Sequence, residues 1–447
     1  NGGRDPGLRA RLAARGDELE WIPDHMRARY RHWVEGLTGD WLVSRQRFFG
    51  VPIPIWYPVD GSGAIDHLHP IAPPEEALPV DPASQAPPGY DESQRGAPRG
   101  FVADPDVLDT WATSSLTPQI AGGWIDDQDL FERVFPMDLR PQAHEIIRTW
   151  LFASLTRSHL EHGVLPWRHT VISGWIVDPD RKKMSKSKGN ATTPIGLLDR
   201  YGADAVRYWA ASARPGVDSV FDEGQMRIGR RLAVKVLNAA RFVLGLSGEE
   251  GSAVTDPVDR SLLAGLAATV EACTAAFEAY DHADALERAE AGFWQWTDDY
   301  LELVKARAYG DGPGARSARA ALRLSLSVYL RLLAPFLPFV TEEAWSWWRE
   351  GSIHRSEWPA ADELERQAGD PAVLRLAASI LGEIRKAKSE AKRSMKAPVR
   401  ELRVWAEGEE RAALEAALTD LVRAGAVEVV EIGEPGPFRV EVALRDG

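Results

Sequence analysis

Between Arg181 and Asn190 the chain reads Arg-Lys-Lys-Met-Ser-Lys-Ser-Lys-Gly-Asn, crowding five cations against two hydroxyls and a glycine directly after the apolar stretch Thr170 to Val177. Lysines this close repel one another, so the arrangement makes sense where polyanionic oxygens balance it. A lysine ammonium is a mobile point charge with three donors, able to follow a pyrophosphate as charge builds during phosphoryl or nucleotidyl transfer. The same composition also suits a solvated basic loop or a nucleic-acid patch.

A loop of this kind needs a rigid mount, and the sequence around it supplies one. From 106 to 210 apolar strand patterns alternate with helical ones: Leu139 to Gln142, a helix over Glu145 to His162, a strand over Thr170 to Ile176, and a helix over Pro194 to Tyr201. Alternation of this sort implies a parallel α/β sheet, whose ligands sit at the carboxyl ends of the strands. Upstream, Asp24 to Val34 reads as a short helix, and Trp41 to Tyr57 as a helical turn followed by a strand broken by prolines. Ten prolines between 58 and 105 mark a loop-rich insertion. Beyond a Gly- and Ser-rich linker at Leu244 to Pro257 the period turns helical: Ser261 to Tyr280, Ala283 to Tyr309, Ala315 to Pro335 and Pro338 to Trp348 form a bundle. After Asp370-Pro371 a basic helix runs to about Lys396. Strands over Leu402 to Ala406, Val427 to Ile432 and Phe438 to Leu444, with a helix over Glu409 to Arg423, make a small α/β cap.

The 447 residues exceed one ordinary core, and 44% hydrophobic with 27% charged residues describes a soluble globular chain. A net charge of -13 argues against a generally basic coat for nucleic acid, so any RNA contact must use local patches. One cysteine, Cys273, excludes a disulfide framework or a thiolate-rich zinc site and fits a reducing, cytoplasmic setting. The most apolar segment, Leu330 to Val340, is short and carries two prolines, so no stretch approaches a membrane span.

Order within the lysine run is informative: Lys183-Met184-Ser185-Lys186-Ser187 resembles the second signature of the class I aminoacyl-tRNA synthetases. Four further stretches are similar to the valyl branch of that family, in chain order. They are Trp41 to Tyr57, Asp106 to Leu116 (Asp-Val-Leu-Asp-Thr-Trp-Ala-Thr-Ser-Ser-Leu), Gln142 to Trp150, and Ala334 to Trp345. The resemblance implies α/β plus all-α architecture: the C-terminal part of a Rossmann-like catalytic domain over 41–244, a helical anticodon-binding domain over 245–369, and the basic helix with its cap over 370–447. Residues 1–40 then read as a remnant of the editing insertion. The family's first ATP signature, His-x-Gly-His, is absent, since His67-Leu68-His69-Pro70 fits neither its spacing nor its setting. With the non-Met start, a fragment lacking the N-terminal half of the enzyme is expected, inactive alone and partnered by that missing half.

By the same resemblance the activity is valine-tRNA ligation: ATP activates valine, and the valyl group passes to tRNA-Val. Lys183 and Lys186 are the implied catalytic groups, and Met184, Ser185 and Ser187 complete the ATP loop. His144 and Glu145 are implied at the ATP ribose or aminoacyl end; an ordinary first-turn acid is the equal alternative for Glu145. Gly174 and Trp175 stand where backbone groups pair with an adenine edge, and Asn190 orders the exit of the loop or simply makes a turn. Trp111, Ile146 and Trp150 match the amino-acid slot, although core packing is the commoner fate of such indoles. A rigid apolar slot rejects larger side chains by clash and is weak against isosteres, so editing is expected elsewhere in the intact protein.

Arg385, Lys388, Lys392 and Arg393 on the basic helix are candidate tRNA backbone contacts, with a solvated charged helix as the rival. Phe293, Trp294, Trp296 and Tyr300 read mostly as core, with one or two available to stack on anticodon bases. Mg2+ is expected with ATP and no protein-bound metal, the pair His159 and His162 reading as a solvated helical face. The rival functions are an isoleucyl or leucyl relative, or a non-catalytic tRNA-binding module derived from a synthetase.

Overall fold

In the structure, a computed structural model, residues 6–184, 193–247, 252–366 and 368–445 are described. Contacts divide the chain into two units: residues 1–175 with 215–217, and residues 176–214 with 218–447.

The first unit is built on a parallel sheet. Its strands are β1 (Glu20–Ile22), β6 (Met137–Ala143) and β7 (Trp167–Ser173), in the order β1-β7-β6. The helices around it are α1 (Pro6–Glu18), α2 (Arg27–Glu35) and α6 (Phe152–His162). Leu8, Leu12, Trp21, Tyr30, Leu155 and Trp167 close one apolar cluster between them. Residues 1–40, expected as a remnant of an insertion, thus include an edge strand of this sheet. The expected helical turn at 41–50 does not form; instead β2 (Ser44–Arg45) pairs with β5 (Val107–Leu108). Residues 58–105 hang from the two-stranded ribbon of β3 (Trp56–Pro58) and β4 (Phe101–Ala103). Buried Trp56 anchors them, donating its indole N–H to the Gln85 carbonyl at 2.9 Å. Three short helices follow: α3 (Thr110–Ser114), α4 (Thr117–Ala121) and α5 (Gln128–Val134).

The second unit opens with β8 (Ile176–Val177), α7 (Pro194–Tyr201), α8 (Ala203–Ala211), β9 (Ser219–Val220) and α9 (Glu223–Leu244). The bundle comprises α10 (Pro257–Glu278), α11 (His282–Gln295), α12 (Leu301–Ala308), α13 (Pro313–Leu333), α14 (Pro338–Ser346) and the short α15 (Asp362–Glu365). Its starts are chemically legible: Asp256 and Asp281 cap α10 and α11, and proline opens α10, α13 and α14. Asp204 of α8 does the same for α14 from outside, its carboxylate accepting from the Phe339 and Val340 amides at 3.2 and 2.7 Å. Helix α10 is long and apolar enough by composition to cross a membrane, contrary to the sequence reading. Its Leu262, Leu263, Leu266, Val270 and Cys273 are buried in the bundle, which accounts for the composition.

Helix α16 (Ala372–Glu390) leads into the cap, where β10 (Val399–Trp405) lies parallel to β11 (Val427–Ile432) and antiparallel to β12 (Arg439–Leu444), with α17 (Gly408–Gly425) alongside. Cap and bundle share one apolar core running from Tyr208 to Val427. They also share a buried charge cluster. The Arg307 guanidinium of α12 holds Asp259 of α10 through two bonds of 2.8 Å and Asp420 of α17 through bonds of 2.8 to 3.0 Å. Tyr300 and Ser317 hydroxyls donate to the same Asp259.

Candidate active site

Parallel strands put their carboxyl ends on one edge of a sheet, and the register pairs Ala143 with Ser173. The residues that follow each, His144-Glu145 and Gly174-Trp175, are therefore neighbours, as the strand-end rule requires. The His144 side chain is buried, and its Nδ1 lies 3.2 Å from the Ser173 carbonyl. A carbonyl only accepts, so Nδ1 carries a proton and Nε2 faces away from that bond. The imidazole packs on the Trp175 ring with centroids 4.6 Å apart, and the Trp175 indole N–H donates to Glu145 Oε2 at 3.1 Å. Four residues expected at the nucleotide thus form one polar-aromatic cluster, offering an aromatic face and a carboxylate that accepts hydroxyl hydrogens.

Trp111 is the second residue of α3, whose N-cap Asp109 accepts from the Trp111 amide at 2.7 Å and pairs with Arg45 at 2.6 Å. Its indole lines a cavity of about 410 Å³ with Trp33, Trp41, Arg148 and Phe152. Ile146 and Trp150 do not line that cavity. The expected regular helix from Glu145 begins as a 3-10 turn over His144–Ile146 and a π turn over Ile147–Leu151 before settling at Phe152. Such turns break the 3.6-residue period and collect at functional sites. Trp150 remains tied to the helix of Trp111, donating its indole N–H to the Ser114 carbonyl at 3.1 Å. Its ring is covered by Arg140, whose guanidinium carbon lies 3.0 Å from the centroid. Burial pushes the Arg140 guanidinium down to about 10. Sequence reasoning did not single out Trp33, Arg45, Arg140 or Arg148 as site residues, although Arg45 and Arg148 lie within the family-like stretches Trp41 to Tyr57 and Gln142 to Trp150.

In the second unit, Val177 bridges Lys183 and the Met184 amide donates to the Ile176 carbonyl, closing a turn over Asp178 to Lys182. Asp178 sets that turn by accepting from the Lys182 amide at 2.8 Å. Lys183 and Met184 thus leave a pinned strand end. Ser185, Lys186, Ser187 and Asn190 lie outside the described residues.

The candidate tRNA contacts separate. Helix α16 stops at Glu390 rather than near Lys396, and Lys392 turns the chain with φ +54. Lys388 is a correction: it is 1% exposed, and its ammonium donates to the Met395 and Gly425 carbonyls at 3.0 and 2.8 Å, so it ties the cap instead of facing RNA. Arg385 is held by Asp299 at 2.8 Å, while Lys392 and Arg393 are exposed. Among the bundle aromatics Phe293, Trp296 and Tyr300 are buried. Trp294 is half-buried beneath Arg231 and Lys235, at 5.5 and 5.6 Å from its ring.

The two helix histidines are not a solvated face. His159 Nδ1 accepts from Arg15 Nε at 3.3 Å, and His162 packs among Trp124, Phe131 and Phe135. Among the described residues no three His, Cys, Asp or Glu side chains gather closely enough to hold a metal ion.

Residues 5–222 match the family of class I tRNA synthetases for I, L, M and V, and residues 259–403 match the anticodon-binding domain of tRNA ligases. The chain belongs to the class I tRNA synthetases. Among curated proteins it is similar to the valine-tRNA ligase of Thermobifida fusca, 60% identical over 99% of this chain and 51% of that protein. That of Salinispora tropica is 57% identical over 99% and 54%. The chain spans about half the length of the curated relatives it matches. Among solved structures, the LeuRS of Agrobacterium radiobacter in a ternary complex with tRNA aligns with TM-score 0.58 at 22% identity, covering 74% of this chain and 43% of that one. Mycobacterium tuberculosis methionyl-tRNA synthetase aligns at 0.53 and 20%, covering 76% and 60%. These two likenesses speak for the fold alone.

Proposed function

We propose that the chain works within an enzyme that activates valine with ATP, releasing pyrophosphate, and passes the valyl group to the 3′ end of tRNA-Val. The observation that carries this reading is the cluster of His144, Glu145, Gly174 and Trp175 at the strand ends, in a chain 52–60% identical to several valine-tRNA ligases. In this reading Trp175 and the Gly174 backbone receive the adenine, and His144 and Glu145 receive the ribose hydroxyls. Trp111 walls the amino-acid side chain, and the family resemblance assigns Ile146 and Trp150 to the same slot although they lie outside the cavity that Trp111 lines.

Lys183 and Lys186 neutralise charge on the phosphates as the carboxylate of valine attacks the α-phosphate in line, which makes catalysis a matter of positioning and charge stabilisation. Met184, Ser185 and Ser187 belong to the same phosphate-covering loop. Mg2+ enters with the ATP phosphates as part of the substrate. tRNA is held by the helical bundle, with exposed Lys392 and Arg393 touching its backbone and Arg385 behind them. The reading places the work in the cytoplasm, where tRNA is charged.

The test is amino-acid-dependent exchange of pyrophosphate into ATP, measured on the protein as its gene encodes it, with valine, isoleucine and leucine in parallel. Exchange strongest with valine supports the reading. Exchange with another amino acid, or tRNA binding with no exchange at all, overturns it.

A further inference from the structure

We propose that Gln142 binds the ammonium and carboxylate of the free amino acid, an inference that rests on the activating function proposed above. Gln142 is the penultimate residue of β6 and is 7% exposed, yet among the described residues neither its Oε1 nor its Nε2 has a hydrogen-bond partner. A buried amide left unpaired on both sides is strongly unfavourable, and such groups call for an explanation.

Its place in the sheet supplies one. The register sets Gln142 opposite Ile172, whose side chain packs with Ile147 and Leu151, so Gln142 lies on the helix-covered face of the sheet. Arg140, two residues earlier on the same face, covers the ring of Trp150 and likewise leaves Nε and Nη2 without a partner among the described residues. His144, two residues later, belongs to the cluster at the strand ends. The orphaned amide therefore stands between a slot indole and the nucleotide cluster, where a substrate spanning the two must pass.

A carboxamide fits the head of a zwitterion: Oε1 accepts from an ammonium and Nε2 donates to a carboxylate, and the side chain adds no charge of its own. The Arg140 cation, one strand repeat away, favours a carboxylate over an ammonium at its end of the subsite. Gln119 of α4 provides an internal comparison. It too is fully buried with both amide atoms unpartnered among the described residues, but it follows no strand end.

The experiment measures valine and ATP dependence of pyrophosphate exchange, with melting temperatures, for the gene-encoded protein and its Gln142→Leu, Gln142→Glu and Gln119→Leu variants. Expected is a rise of about tenfold or more in KM for valine in Gln142→Leu, with KM for ATP within about twofold of the parent, because hydrogen bonds to charged groups are lost. Gln142→Glu keeps an acceptor but repels the carboxylate, so its valine KM rises as well; should the leucine variant not fold, this variant decides alone. Gln119→Leu leaves both constants unchanged. Valine KM within about twofold of the parent in the folded Gln142 variants overturns the inference while leaving the proposed function standing. A parent with no amino-acid-dependent exchange overturns both.

Discussion

Arg307 makes the sharpest stability prediction in the molecule. Its guanidinium serves two buried carboxylates at once, Asp259 on α10 and Asp420 on α17, with bonds of 2.8 to 3.0 Å, and gives a further 2.9 Å bond to the Gly314 carbonyl. Asp259 is fully buried and Asp420 nearly so. Arg307→Met keeps most of the apolar stem and removes the cation, leaving two carboxylates in a dry interior. Breaking a buried pair from one side costs about 3–5 kcal/mol. Two carboxylates lose their counter-ion here, so the upper end of that range is expected. At roughly 2–4 °C per kcal/mol for a large domain, the melting temperature falls by about 10–20 °C. Arg307→Met combined with Asp259→Asn and Asp420→Asn removes the uncompensated charge, and neutral replacement of buried ion groups is often close to harmless. The triple variant is therefore expected to recover at least half of the loss. Scanning calorimetry on all the single, double and triple variants checks this. A triple variant no more stable than Arg307→Met refutes the electrostatic account and leaves packing as the cause.

Three further outcomes are expected. Burial first, then Arg15 and Arg11, hold the His159 imidazole below its ordinary value. A depressed histidine contributes stability that is present above its ordinary value and lost as pH falls through the depressed one, because the charged ring can no longer accept from Arg15. The melting temperature thus drops on acidification from about pH 7 to about pH 5, and His159→Gln flattens that dependence; an unchanged slope in fluorescence-monitored melts counts against it. Lys388→Met, which strips two carbonyls of their donor, lowers stability by about 1–3 kcal/mol and leaves tRNA affinity unaltered, whereas Lys392→Ala with Arg393→Ala weakens filter-bound tRNA and reduces its salt dependence. Trp150→Phe loses the bond to Ser114, about 1 kcal/mol, and raises KM for valine more than KM for ATP; equal effects on both argue that the indole serves packing alone.

Much of this architecture could be read from the residues because its signals are local. The helix Pro194–Tyr201 and the strand Val427–Ile432 form where the pattern places them, and the bundle helices begin at Asp-Pro, Asp and Gly-Pro starts that satisfy exposed amides. The misses are non-local. β1 has three residues, too few to show a period, and exists because β7 accepts it. The π turn at Ile147–Leu151 leaves no compositional trace, so the regular helix expected from Glu145 begins irregularly. Lys388 looks like any cation on a charged helix until the fold brings the Gly425 carbonyl to it from 37 residues away. The strand-end cluster was legible because loop and strand order place it; the unpaired amide of Gln142 was not, since burial without a partner is a property of three dimensions.

The apolar interior that joins α10 and α12 to α16 and α17 has a practical corollary for anyone dissecting this chain. A boundary drawn at residue 369 looks natural on paper, yet scissors applied there strip Ile380, Leu381 and Ile384 from Leu262, Leu263 and Leu266 and turn a sealed surface into a wet, sticky one. Expression plasmids meant to isolate the helical portion should carry everything from Ala203 through Leu444 as an indivisible parcel.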